Sequence, residues 1–345
     1  MPSQAEWLAG LTPWPKEFGL GRMRTLLAAL GDPQLAYPAI HVVGTNGKST
    51  AVRTIEALLL AEGLSVGATV SPHVRTWAER ITVAGTPADF EAAISRVRPE
   101  AEAHEATQFE TLCAAAFAEF AARGVDVAVV EAGLGGRLDA TNVLRSNVVL
   151  LTNVGLEHTD VLGDTREQIA AEKLAVVQEG TIAVLPDEEF AQLAGPNVVL
   201  GGAREAAAAF LGRKVDHEVE IVLPGRLERR GDEVRDGAHN ADGARWLVAQ
   251  LDRDDYTVVA SILRDKDAVA MLSTLATKAR RLVATESGNE RALPAAELAR
   301  LAAGVFPEVV VEPDPVAALA RAREHPPVLV TGSLYLLADL ARNET

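Results

Sequence analysis

Between His41 and Thr50 the chain reads H-V-V-G-T-N-G-K-S-T, a hydrophobic run that ends in two glycines, a lysine and two hydroxyl residues. Glycines let backbone N–H groups come close to phosphate oxygens, a helix starting there adds positive potential, and Lys48 brings a point charge to the terminal phosphates. Thr45, Asn46 and Gly47 form the loop, and Ser49 or Thr50 offers a hydroxyl near a phosphate-bound metal. The ligand this chemistry suits is a nucleoside triphosphate. The longer consensus G-x-x-x-x-G-K-[ST] is not met, because Val42 stands where its first glycine belongs. A glycine turn capped by Ser or Thr is the plain alternative. Only six of the 33 basic residues are lysine, so a lysine here marks a place where a guanidinium does not serve; Lys48 and Lys173 are two of the six.

Two further groups stand where chemistry is expected. Glu131 ends the apolar run V-D-V-A-V-V-E and is followed by Gly133-Leu134-Gly135-Gly136. A carboxylate at the carboxyl end of a buried strand faces the crevice in which open α/β sheets bind ligands, and it suits a hard cation; a helix-capping or solvated acid is the alternative. Thr107-Gln108-Phe109-Glu110 reads as a threonine cap with a capping-box glutamate three residues on.

These residues need a scaffold of alternating strands and helices, and the sequence supplies it. The β-branched runs at 39–44, 66–70, 125–133 and 148–155 alternate with alanine-rich helical stretches at 50–63, 107–123 and 165–178. That rhythm predicts an α/β fold with a doubly wound, mainly parallel sheet carrying the phosphate loop. A second α/β rhythm of about 115 residues follows the Leu223-Pro224-Gly225-Arg226 segment and predicts a smaller Rossmann-like domain. The expected domains are 1–227 and 228–345.

Composition removes several function classes. The 345 residues are 48% hydrophobic and 23% charged, with a formal net charge of −15, the wrong sign for a partner of nucleic acid. No apolar run reaches the length of a membrane span, and the first residues lack a basic-then-apolar leader. The single cysteine, Cys113, allows no internal disulfide and suits core packing in a reduced, cytoplasmic compartment. A monomer is the default expectation.

The G-T-N-G-K loop at a strand end resembles that of the Mur ligase superfamily. An ordered set of segments resembles its folylpolyglutamate/dihydrofolate synthase branch over most of the chain: Ser71-Pro72-His73, Thr107–Glu110, 130–142, 151–165, Glu172-Lys173, Pro224-Gly225-Arg226, 236–240, 265–267 and 331–340. The resemblance implies an ATP-dependent amide ligase that adds L-glutamate to dihydropteroate and to reduced folates through an acyl phosphate. It implies that Ser71 and Glu131 hold one Mg²⁺, that His158 helps to hold a second, and that Lys173 is carbamylated. It places Thr107, Gln108, Phe109 and Glu110 at the pterin end of the substrate, with Arg137 and Leu138 rimming the same pocket. It also places Asp236 on the ribose and Arg226 on the phosphates of ATP, and His239 and Ser333 on the glutamate side.

Read without the resemblance, His158 is a strand-end hydrogen-bonding residue and Lys173 a solvated helix lysine. The chain departs from the family pattern at Ser49, where the usual loop has glycine, so that Thr50 takes the place of the family's hydroxyl residue. It also lacks the family's adenine-side asparagine, and it is short between Lys173 and Arg226. A Mur-type ligase with another acceptor, or a folate- and nucleotide-binding protein that has lost catalysis, are the alternatives.

Overall fold

Alternate residues of the apolar runs face two different hydrophobic layers, which is why the runs read as unbroken rather than alternating. In β1 (Ala39–Val43) and its later neighbour Val127–Glu131, Ala39, Ala128 and Val130 pack on one layer, and Ile40, Val42, Val127 and Val129 on the other. A computed structural model describes residues 3–344 and divides the chain into two compact units, Met1–Ile221 and Val222–Thr345. The division falls beside the Leu223–Arg226 segment, after which the second α/β rhythm begins.

In the first unit β1 is followed by β2 (Val66–Thr69), β3 (Ile81–Val83), β4 (Thr86–Pro87), β5 (Val127–Glu131), β6 (Ser146–Leu151), β7 (Ile182–Leu185) and β8 (Val198–Leu200). They form one sheet in the order β4-β3-β2-β5-β1-β6-β7-β8. The pairs from β2 to β8 are parallel, and β3 and β4 add an antiparallel edge. The helices are α1 (Gln4–Ala9), α2 (Gly21–Ala29), α3 (Lys48–Ala61), α4 (Phe90–Ala103), α5 (Gln108–Arg123), α6 (Thr159–Leu162), α7 (Arg166–Leu174) and α8 (Ala203–Leu211). Helix α5 has the expected start and stop: Thr107 and Glu110 form a capping box, and Gly124 ends the helix at φ 61°.

The second unit holds β9 (Glu228–Arg230), β10 (Glu233–Arg235), β11 (Tyr256–Ala260), β12 (Ala279–Ala284), β13 (Glu308–Val311) and β14 (Val328–Thr331) in the order β13-β12-β11-β14-β10-β9. All pairs but β9–β10 are parallel. Helices α9 (Ala241–Ala249), α10 (Ala268–Leu275), α11 (Ala295–Ala302), α12 (Pro315–Arg323) and α13 (Leu334–Arg342) alternate with these strands. The doubly wound fold and the smaller second α/β unit are therefore as expected from the sequence. Among the described residues, no helix is long and apolar enough to cross a membrane.

One polar chain crosses the first core. His41, on central strand β1 and 1% exposed, shares a 2.7 Å hydrogen bond with the Thr141 hydroxyl, which in turn donates to Asp139. Asp139 also accepts the Leu134 and Thr141 N–H groups at 2.7 and 3.0 Å, so its carboxylate fastens the glycine turn after β5 from below. Burial pushes the His41 imidazole from 6.5 down to about 4 and raises the Asp139 carboxyl. Between those two pH values the unfolded chain binds the histidine proton and the native one does not, so stability rises with pH through that window. The His41 contribution is complete above pH 6.5 and is lost as the pH falls toward 4, a span of about 3 kcal/mol. Asp139, whose carboxyl is raised by burial, acts with the opposite sign above the ordinary carboxyl range. In consequence, the Tm difference between wild type and His41→Asn should narrow steadily as the pH is lowered from 6.5 to 4. A constant difference in a pH series of thermal melts refutes this account.

Candidate active site

Strand β1 delivers the phosphate loop. At Gly44, φ is 150°, and an added Cβ would lie 1.9 Å from the Thr152 hydroxyl, so no side chain fits; Gly47, at φ 80°, caps α3. The loop is stitched to the segment after β6. Thr45 N donates to Asn153 O at 3.1 Å, Asn46 N to Asn153 Oδ1 at 2.9 Å, and Thr152 Oγ1 to Asn46 O at 2.7 Å. Gly155 N donates to Thr45 Oγ1 at 3.0 Å. Thr152 and Asn153 are thus part of the site, although the sequence reading used their segment only as a family marker. Their signal was position alone, at the end of the strand that pairs with β1.

Glu131 gathers the rest. It ends β5 opposite Val42, is 4% exposed, and its Oε2 accepts the Ser49 hydroxyl at 2.8 Å and the Ser71 N–H at 3.0 Å. Three segments meet on one carboxylate: the start of α3, the loop after β2, and the end of β5. Thr50 lies on the exposed side of α3 and its carbonyl accepts the Thr54 hydroxyl at 2.8 Å. The loop hydroxyl at the carboxylate is therefore that of Ser49.

Both singled-out lysines bind the loop backbone. Lys48 Nζ donates to Gly44 O and Thr45 O at 3.1 Å each, and Lys173 Nζ to Gly44 O at 2.9 Å. Lys173 is 4% exposed, buried on α7 rather than solvated. Burial first, then the charge of Lys48, brings its ammonium down from 10.5 to about 7, with Glu157 and Asp139 pulling the other way. His158 is exposed, at φ 52°, and starts the short helix α6. Among the described residues no group of three or more His, Cys, Asp or Glu gathers as a metal site. The donor set at Glu131, one buried carboxylate with the Ser49 hydroxyl on it, fits a hard cation that takes its remaining ligands from phosphate and water, as Mg²⁺ does.

Beside this lies an aromatic pocket. Its lining includes Trp14, Phe18, Thr107, Phe109, Leu138 and Asp139, and the Trp14 ring stands 6.4 Å from Phe109 and 6.5 Å from Phe18. The Phe109 ring packs so closely on Gly133, two residues beyond Glu131, that a Cβ there would be 2.6 Å from it. Of the segment 107–110, Thr107, Phe109 and Glu110 line the pocket. The Glu110 Oε2 accepts from Thr107 N and Oγ1 at 2.8 Å and from Arg22 Nε at 2.7 Å. Gln108 instead reaches Leu8 O at 3.1 Å, and its N–H reaches Thr12 O at 3.0 Å, docking the N-terminal segment. Leu138 lines the pocket, whereas Arg137 pairs with Glu172 at 2.8 Å. Trp14, Phe18 and Arg22 were not visible as site residues in the sequence, where they form no motif and no period.

In the second unit, Asp236 follows β10, is 4% exposed, and accepts Leu227 N at 2.7 Å and Ala238 N at 2.8 Å. Burial raises its carboxyl, and the Arg226 charge opposes the rise. Arg226 Nη1 lies against Gly237, 2.8 Å from where a Cβ would stand, so Arg226 and Asp236 are neighbours. His239 Nδ1 bonds Gly237 O at 2.8 Å, and Ser333 caps α13, accepting Tyr335 N at 3.1 Å.

Comparison with known proteins places both units in known families. Residues 42–220 match the Mur ligase middle domain, and residues 225–334 match the Mur ligase glutamate ligase domain. The chain is 30% identical over 417 aligned residues to the dihydrofolate synthase/folylpolyglutamate synthase of Bacillus subtilis, covering 97% of each. It belongs to the folylpolyglutamate/dihydrofolate synthase family of Mur ligases. Among solved structures, Escherichia coli FolC in complex with DHPP and ADP superposes with a TM-score of 0.87 at 25% identity, over 99% of this chain and 98% of that one. The Yersinia pestis bifunctional enzyme with Mn, AMPPNP and L-glutamate bound gives 0.86 at 27%, over 100% and 98%.

Within this ligase family the chain carries serine at position 49, and the geometry distinguishes it from its neighbour. Ser49→Ala should weaken binding of a metal–nucleotide analogue at least about tenfold, since a charge-assisted hydrogen bond to a buried carboxylate is worth ~1.5–3 kcal/mol. Thr50→Ala should change it less than about twofold. Calorimetric titration of the two variants with AMPPNP and Mn²⁺ reads both; equal losses would contradict the geometry.

Proposed function

We propose that the protein joins L-glutamate to dihydropteroate and to reduced folates, using ATP and a divalent cation. The observation that carries this reading is the meeting, at the Glu131–Gly133 strand end, of a phosphate loop with an aromatic pocket. A flat heteroaromatic ring between Trp14, Phe18 and Phe109 would extend its carboxylate tail toward the phosphates. A Mur-type ligase acting on a sugar-linked acceptor would not call for such rings.

The reaction has two displacements. The substrate carboxylate attacks the γ-phosphorus and ADP leaves; the neutral amine of glutamate then adds to the acyl carbon, and phosphate departs from the tetrahedral adduct. No protein nucleophile is needed, and the work of the chain is in-line positioning and charge stabilisation. The amides of Gly47, Lys48 and Ser49 and the Lys48 ammonium would hold the β- and γ-phosphates, with Thr45 and Asn46 shaping the loop through their bonds to Asn153. Ser71 and Glu131 would hold a first cation and His158 would contribute to a second; Mg²⁺, when bound, neutralises phosphate charge as a Lewis acid. In the second unit, Arg226 and Asp236 take the phosphate and ribose of the nucleotide, and His239 and Ser333 take the incoming amino acid. A cytoplasmic monomer is the form proposed, with Cys113 free and buried.

We extend the proposal to Lys173. A buried amine brought to about 7 is largely neutral in mildly alkaline solution. It then adds to CO₂ to form a carbamate with release of one proton, turning a cation into an oxygen donor beside the phosphate loop. Its position within hydrogen-bond reach of Gly44 supports this.

The deciding measurement is phosphate release from ATP with dihydropteroate plus glutamate, and separately with reduced folate plus glutamate. Both pairs should turn over, and Lys48→Ala should lower both at least about a hundredfold. Phe109→Ala should raise the KM for dihydropteroate about tenfold and leave that for ATP unchanged, a loss on the scale of one aromatic contact. Release with neither pair overturns the ligase reading. For Lys173, ¹³C-bicarbonate should give a carbamate resonance in wild type that Lys173→Ala lacks.

A further inference from the structure

The loop that carries Ser71 is held from its far side by a group outside the nucleotide site. Glu79 lies in the short turn before β3, and its carboxylate accepts three successive backbone N–H groups: Val74 at 3.0 Å, Arg75 at 2.6 Å and Thr76 at 2.6 Å. Ser71, at the other end of the same loop, is pinned through its own N–H to Glu131. The loop is thus fixed by two carboxylates, one in the site and one behind it.

Glu79 is itself tied to the phosphate-loop helix. Arg53, one and a half turns into α3 and with a side chain only 11% exposed, donates from Nη2 to Glu79 O at 2.6 Å. Its Nη1 donates to Glu56 Oε2 at 2.6 Å and to the Thr82 hydroxyl, and Thr82 donates to Glu56 Oε1 at 2.6 Å. Arg80, next to Glu79, returns over the loop: its Nε meets His73 Nδ1 at 2.8 Å, its guanidinium lies 4.6 Å from the Trp77 ring centroid, and its carbonyl accepts Val70 N at 3.0 Å. Helix α3 begins with Lys48 and Ser49, so the same helix presents the phosphate-binding groups at its start and, through Arg53, fixes the turn that anchors Glu79.

We propose that Glu79, braced by Arg53, is a positioning residue that holds the 71–76 loop so that Ser71 meets the cation at Glu131. The inference rests on the reading of Ser71 as a cation ligand given above. The chemistry requires a carboxylate rather than an amide. Three N–H groups converge on two oxygens, and an amide in that place offers one oxygen and turns an NH₂ donor toward the remaining donors.

The test is Mn²⁺ affinity measured by electron paramagnetic resonance on the full chain with AMPPNP, for Glu79→Gln, Ser71→Ala and the double variant, with amide hydrogen exchange on the same samples. Expected are a loss of Mn²⁺ affinity of at least about tenfold in each single variant, and a double variant within about twofold of Ser71→Ala, the signature of one shared pathway. Exchange should accelerate at residues 74–76 in Glu79→Gln while β5 stays protected. Glu79→Asp, which keeps the charge on a shorter arm, should lie between wild type and Glu79→Gln and carries the test if the glutamine variant fails to fold. A full effect of Ser71→Ala with no loss in the Glu79 variants overturns this inference alone. Equal, additive losses assign Glu79 a general structural role and also overturn it. No effect of Ser71→Ala on Mn²⁺ affinity removes the reading of Ser71, and the inference with it.

Discussion

A buried carboxylate is costly unless its charge is matched, and the first unit is organised around meeting that cost at Glu131. The register of two parallel strands sets Glu131 beside Val42, so β1 and β5 end together and their following loops leave the sheet side by side. One of those loops supplies the Ser49 hydroxyl, and the loop after β2 supplies the Ser71 N–H. A one-residue slip of β5 against β1 would turn Glu131 to the opposite face and leave both donors without their acceptor. Two donors to one oxygen anchor the carboxylate at the strand end. The glycine turn that follows is fixed just as firmly from beneath by Asp139, so the strand end has little freedom to follow a ligand and must be shaped for it in advance.

The positive side of the site is equally concentrated. Lys48 and Lys173 both donate to the Gly44 carbonyl, so two potential cations share one acceptor at the loop where phosphate would bind. Burial, and then the neighbouring Lys48 charge, lowers the Lys173 amine to about 7. A net charge of −15 is therefore no obstacle to an anionic ligand. Net charge governs solubility and long-range steering, whereas affinity for phosphate is decided by a few oriented amides and ammonium groups within the first few ångströms.

Much of this was legible in the sequence because it depends on local rules. Strand ends, helix caps and the phosphate loop are written in consecutive residues, and the Thr107–Glu110 cap appeared where its pattern placed it. What escaped depended on direction or on distant contact. Comparison of motifs set Thr50 in the family's hydroxyl position, yet the first turn of α3 points Ser49 inward and Thr50 out. Lys173 stands out in the sequence by the scarcity of lysine, but its neighbours in the chain cannot reveal that a loop 129 positions earlier lies over it. Arg137 and Leu138 are adjacent, but one faces Glu172 and the other the pocket. Trp14 and Phe18 sit in a segment without periodicity, and their place is decided by Gln108 reaching back to Leu8 and Thr12.

The aromatic pocket and the phosphate loop share a cause that neither shows by itself. Phe109 can approach the strand end only because Gly133 has no side chain, and Gly136 lets the same turn lie on the Glu172 and Lys173 carbonyls, 2.7 and 2.5 Å from where a Cβ would be. The glycines of this turn serve close packing. They let an aromatic wall close on one side of Glu131 and a lysine-bearing helix close on the other. A turn with side chains would hold both at a distance from the strand end that carries Glu131. The compactness of that turn is thus a property of its backbone more than of any single side chain.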